Sequence, residues 1–173
     1  DIGDWDVSNG TNFASMFSSA YSFNQDIGNW DVSNGTTFAG MFSGAREFNQ
    51  DIGDWDVSNG TNFGAMFRQT SFNHDIGDWD VSKGSAFYHM FLHNKVFNQD
   101  IGDWDVSNGR DFVAMFERAE AFNQDLGDWD VSKARNMEKM FNDSSFDQDI
   151  GDWDVSKVDN FGSMFARTSF NQD

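Results

Sequence analysis

The 173-residue chain has no cysteine, no proline, and only 11 lysines and arginines against 29 aspartates and glutamates. The lack of cysteine removes any disulfide framework and any thiol chemistry, while leaving the compartment open. No Pro-rich linker or low-complexity tail interrupts the chain. The shortage of base leaves a formal net charge of −18 at pH 7. Such a surface repels nucleic acid and anionic membranes, because phosphate binding needs clustered Lys and Arg. Cations, basic proteins and neutral glycans remain as partner classes. No apolar run approaches the length of a membrane span, which argues against direct membrane insertion, and no signal peptide is present. The chain starts and stops almost on repeat boundaries, so it reads as a fragment of a longer repeat protein.

What is present is repetition. Asp-Ile-Gly-Asp-Trp-Asp-Val-Ser at Asp1 to Ser8 returns with little change at Asp26, Asp51, Asp75, Asp100, Asp125 and Asp149. Each copy is followed by a Phe-x-x-Met-Phe cluster and then a further Phe. The units are 1–25, 26–50, 51–74, 75–99, 100–124, 125–148 and 149–173, the last residue opening an eighth copy. Seven Trp make one per unit, and eight Met make one per unit plus Met137, which replaces the first Phe of its cluster. So many regularly placed large side chains can bury a continuous core across units that could not each bury their own.

Within a unit, Trp5 and Val7 share a parity and face one way from an extended segment, while Asp4, Asp6 and Ser8 face the other. After Ser8 the period changes. Phe13, Met16 and Phe17 sit at i, i+3 and i+4, which predicts one face of a two-turn helix with its N-cap at Ser8 or Asn9. Gly10 and its equivalents give way to Ala134 and Val158, so close packing explains them better than a positive φ. The loop before Phe23 has five residues in four units and four in the others, as in Arg68 to Ser71. A length that varies without disturbing its flanks marks a surface loop.

The string Phe-Asn-Gln-Asp-Ile-Gly-Asp-Trp-Asp-Val-Ser-Asn followed by Phe-x-x-Met-Phe resembles the 25-residue repeat of BspA-like, mycoplasma lipoprotein-associated surface proteins, related to leucine-rich repeats. The resemblance covers the whole chain. Two departures from it are Gly10 and its equivalents, where that family has Val (as Val158 still is), and Phe13 and its equivalents, where it has Met (as Met137 still is). The expected fold is therefore α/β: a single right-handed, leucine-rich-repeat-like solenoid with one short parallel strand and one short helix per unit. The resemblance implies a secreted or surface-anchored protein, in several cases an adhesin, with no enzymatic activity.

The Trp series is read as core. The acidic columns need an explanation, because equivalent carboxylates one unit apart repel by roughly 1 kcal/mol per pair even in water. Hydrogen bonds from turn amides and Ser hydroxyls are one answer. Calcium between neighbouring units is the other, since hard oxygen ligands suit it. Its candidate ligands are Asp4, Asp6, Asp54, Asp56, Asp78, Asp80, Asp103, Asp105, Asp128, Asp130, Asp152 and Asp154. His89 and His93, four apart, are a weaker metal pair lacking a third ligand. No nucleophile–base constellation points to catalysis. Variation concentrates at Tyr88, His89, Leu92, His93, Asn94 and Lys95 in the fourth unit and at Val113, Glu117, Arg118 and Glu120 in the fifth, which makes them the candidate partner surface. The expected role is a non-enzymatic extracellular or cell-surface domain for adhesion or binding of a protein or glycan ligand. The alternative is a structural stalk or fibre segment, associating end to end and stabilised by calcium.

Overall fold

A computed structural model describes residues 2–172. The expected parity holds: in the second unit Trp30, Val32, Phe38, Met41, Phe42 and Phe48 are all buried, while Asn29 and Asp31 are exposed. Rings of successive units form columns, with Phe13, Phe38, Phe63, Phe87 and Phe112 following one another at 5.5–5.8 Å. Inside each unit the second and third Phe stack, at 3.8 Å for Phe17 and Phe23. The core is thus a set of aromatic columns running the length of the stack.

The expected α/β architecture is wrong. Among the described residues there is no helix, and the only β-structure is one isolated parallel bridge per junction, from Asn12–Thr37 through Asn136–Asn160. The segment placed as a helix is a chain of β-turns. Met16, Ser18 and Ala20 donate their amides to the carbonyls of Phe13, Ser15 and Phe17, closing successive i→i+3 turns. The alternate amides, of Phe13, Ser15, Phe17 and Ser19, instead donate to Thr37, Ala39, Met41 and Ser43 in the next unit at 2.7–3.0 Å. Turns of this kind put Phe13, Met16 and Phe17 on the same side as a helix would, so the spacing could not tell the two apart. The turn chain wins because half its amides bond along the stack. A two-turn helix would keep its amides to itself and be marginal alone.

That path needs a left-handed residue every fourth position. Ser15 and Ser19 have φ of 57° and 59°, and the equivalent pairs run through the units as Ala65 and Gln69, His89 and His93, and Ala114 and Arg118. Only the second unit supplies glycine, at Gly40 and Gly44. Non-glycine residues carry a steric cost there of roughly 1–2 kcal/mol. Ala65→Gly is therefore expected to stabilise the chain by about 0.5 kcal/mol once the extra unfolded-state entropy is set against it. Ala65→Val should destabilise it by more than that. Urea melts of both variants test the backbone path, since a helix would reverse the sign for glycine.

The strand was misplaced as well. Around Trp5 the chain makes turns from Ile2 to Trp5 and from Val7 to Gly10, closed by Trp5 N–H to Ile2 and Gly10 N–H to Val7. Here the units are joined by a side chain instead. Each Trp indole donates to the Ile or Leu carbonyl one unit back, from Trp30 to Ile2 (3.0 Å) through Trp153 to Leu126 (2.9 Å). A second axial ladder runs through the Asn24 position, where Asn49 N–H donates to Asn24 Oδ1 at 2.8 Å and the pattern repeats to Asn171.

The glycine after each Val-Ser pair is set by contact with its own unit. A Cβ on Gly60 would lie 2.4 Å from Phe63 Cζ and 2.9 Å from the Val57 carbonyl. The exceptions agree with this cause. Ala134 stands where the residue three positions on is Met137 rather than Phe. Val158 precedes Phe161, which is 45 % exposed, whereas Phe13, after Gly10 at the other end, is only 4 % exposed.

Candidate functional site

Two faces of the stack carry the polar chemistry. The first is the acidic edge. From the second unit on, the first Asp of the block accepts the amide two residues on, as Asp51 Oδ1 does from Gly53 at 3.0 Å. The third does the same with Ser: Asp56 Oδ1 accepts the Ser58 amide at 3.0 Å, and Asp6 Oδ1 accepts both the Ser8 amide and its hydroxyl, the latter at 2.6 Å. These bonds hold Asp6, Asp31, Asp56, Asp80, Asp130 and Asp154 below the usual carboxylate range, the Ser hydroxyl contributing most and the Ser amide next. The middle carboxylates, such as Asp54, Asp78, Asp103, Asp128 and Asp152, are exposed, and the last four line shallow clefts between units. Among the described residues no group of three or more His, Cys, Asp or Glu is arranged to hold a metal ion.

A depressed folded-state pKa adds stability above the unfolded value, here 3.8, that is lost as the pH falls through the folded value. The stability difference between the wild type and Ser58→Ala should thus be constant from neutral pH down to about pH 5. It should shrink to nothing as Asp56 protonates below its ordinary range. Comparing the two chains cancels the repulsion between carboxylates, which both retain. A difference that grew in acid would mean that Asp56 does not hold the Ser58 hydroxyl.

The second face is the outer side of the turn chain and the loop after it. Six of the 11 basic residues lie here: Arg46, Arg68, Lys95, Arg118, Lys139 and Arg167. The structure brings most of the expected partner surface together across one junction. Tyr88 and Val113 occupy equivalent positions, as do Leu92 with Glu117 and His93 with Arg118. His89 N–H to Val113 O at 2.7 Å and His93 N–H to Glu117 O at 2.8 Å bind these rows to each other. Tyr88 is half-buried because its ring lies flat over Gly64, where a Cβ would come within 2.3 Å of it. Burial lowers the pKa of His89, helped by Arg68, and that of His93, helped by Arg118. Arg118 pairs with Asp143 at 3.1 Å and Lys95 with Glu120 at 2.7 Å, so Lys95 stands at the rim.

Asn94 does not belong to this surface. It is fully buried, donating to Phe72 O at 2.9 Å and accepting from Val96 and Phe97 amides. Its amide ties down the short loop of the preceding unit. Sequence reasoning also passed over a cleft of about 380 Å³ beside that loop, lined by Arg46, Gln69, Ser71, His93 and Lys95 among others. The signal that could have found it was the one-residue difference in loop length.

Taken together, these features define an acidic repeat protein with an aromatic core, built of stacked turns and carrying its basic side chains mainly on one flank. The sequence profile described as "Mycoplasma protein of unknown function, DUF285" matches residues 1–94 and 69–173, and the chain belongs to that family. No curated protein and no solved structure matches it. Membership agrees with the repeat organisation and brings no activity or ligand with it. Among the described residues no helix is long and apolar enough to cross a membrane.

Proposed function

We propose that the chain is a non-enzymatic, extracellular or cell-surface binding scaffold, in the manner of the BspA-like repeats it resembles. The observation that carries this reading is the contrast between the two sides of each unit. The inward residues recur almost unchanged, while the flank of units four and five presents Tyr88, Leu92, His93, Val113, Glu117 and Arg118 as one surface on a hydrogen-bonded frame. A rigid frame with variable outer residues binds without paying to order a loop. A panel of immobilised extracellular-matrix proteins and glycans tests it. Tyr88→Ser and Arg118→Ser should each weaken capture of a bound panel member about tenfold, the loss typical of a well-placed contact, with the melting curve kept. Capture that neither substitution changes would remove this surface from the reading.

A stalk is the second reading, and a separate observation favours it. Of six exposed large hydrophobic residues among those described, Trp5, Met16 and Tyr21 lie in the first unit and Val155 and Phe161 in the last. Stacked arrays would cover them, and calcium between the exposed carboxylates of neighbouring units would add cohesion. Light scattering from the 173-residue chain, with and without calcium at fixed ionic strength, tests both parts. A monomer at high concentration in both conditions rules the stalk out.

A further inference from the structure

In the third unit the loop Arg68 to Ser71 is one residue shorter than the loops on either side of it. The missing residue is the one occupied by Arg46 in the second unit and Lys95 in the fourth. A notch of about 380 Å³ results, lined by Thr70 and Ser71 of the third unit and by Arg46 and Lys95 of the units on either side. Gln69, His93 and Val96 complete the lining. The clefts along the acidic edge, by contrast, are lined by carboxylates. A basic notch on a chain of net charge −18 is local chemistry that the overall composition hides.

We propose that this notch binds a sugar bearing one anionic group, such as a uronic acid; the proposal rests on the binding-scaffold reading above. The volume falls in the range of small-ligand sites, roughly 300–1,000 Å³. A stable protein partner would instead need about 800 Å² of surface on each side. Thr70 and Ser71 are already satisfied internally, with Thr70 Oγ1 donating to Phe67 O and Ser71 Oγ to Arg46 O. The Gln69 amide and the His93 ring remain to meet sugar hydroxyls, and both types can donate or accept. Among the described residues Lys95 is paired with Glu120 alone, the two side chains being 63 % and 57 % exposed. An exposed pair of that kind is worth about 0–1 kcal/mol, so Lys95 can re-pair with a ligand anion at little cost. Arg46 lies over the exposed Tyr21 ring, 4.9 Å from its centroid, without an ion-pair partner among the described residues. Its planar fork suits a carboxylate. Burial keeps the His93 ring neutral at neutral pH, so its polarity is available without an added charge.

Amide NMR titration of the whole chain with glucuronate tests the proposal, with glucose 6-sulfate, glucose and acetate as the other arms. Glucuronate should move the Gln69, Ser71 and His93 resonances saturably, and glucose and acetate should not. A response to glucose 6-sulfate equal to that of glucuronate would make the anion's charge the determinant rather than its carboxylate geometry, within the same proposal. Arg46→Gln or Lys95→Gln should weaken glucuronate binding about tenfold, the loss of one charge-assisted hydrogen bond. Inserting one alanine between Thr70 and Ser71 restores the longer loop and should abolish binding. Acetate matching glucuronate, no saturable shift from either anionic sugar, or full binding by Arg46→Gln would each overturn the proposal. Tyr88→Ser should leave the glucuronate response intact, which separates failure here from failure of the partner surface.

Discussion

Trp79→Ala is expected to cost about 3–5 kcal/mol, a large part of a domain's whole stability. Trp79 is 4 % exposed, packs 6.1 Å from Phe67, and its indole donates to Ile52 O at 3.2 Å across the junction. Truncation opens a cavity and removes one of the two hydrogen bonds to the Ile52 carbonyl, which keeps the Trp55 N–H, so the cavity carries most of the cost. Because each unit touches only its neighbours, a weak fourth unit should also split the unfolding transition into separate steps. Trp5→Ala is the internal control, since Trp5 is 54 % exposed in the first unit. It should cost about 1 kcal/mol or less, as expected where little area is buried. Denaturant melts followed by near-UV circular dichroism give both numbers. Equal losses would mean that the indole ladder does not bind the units together.

The second large effect is a pair of substitutions that compensate for each other. Gly60→Ala alone forces a methyl to 2.4 Å from Phe63 Cζ and 2.9 Å from the Val57 carbonyl, so the ring must leave its column. Overpacking of this kind costs about 1–3 kcal/mol. Phe63→Met alone removes a fully buried ring, losing its stacking against Phe38 at 5.8 Å and Phe87 at 5.8 Å. Together they recreate the Ala134 and Met137 arrangement of the sixth unit, where both residues are completely buried. The double variant should therefore be more stable than the sum of the single losses predicts, with a coupling of about 1 kcal/mol or more. Additive losses would show that Ala134 and Met137 are unrelated substitutions and that Gly60 answers to the backbone alone.

The notch and the flank differ in how far they could be read ahead. Tyr88, Leu92, Val113 and Arg118 stood out because they vary against a constant frame, and the stack places them side by side through equivalence alone. Asn94 stood out for the same reason and proved to be core, because its position is the buried one that Ala45, Thr70, Ala119 and Ser144 fill in other units. Its oxygen takes the Val96 and Phe97 amides of its own loop, while its amide reaches Thr70 and Phe72 at the short loop of the preceding unit, a contact that only stacking brings about. The same short loop makes the Arg46–Lys95 notch, which exists only when three units are set next to one another.

Repetition, the length of each unit, the inward row of Trp, Val, Phe and Met and the acidity of one edge all follow from the sequence, because each depends on side-chain type at a fixed spacing. The backbone path does not. Spacing of i, i+3 and i+4 satisfies a helix and a chain of turns equally well. The choice between them was made by where the amides of Phe13, Ser15, Phe17 and Ser19 find their acceptors, in the next unit along the stack. Gly40 and Gly44, four apart at left-handed positions, were the only local trace of that path. Elsewhere the axial hydrogen bonds hold Ser, Ala, His and Lys in a conformation none of them prefers, so tertiary structure overrode local preference.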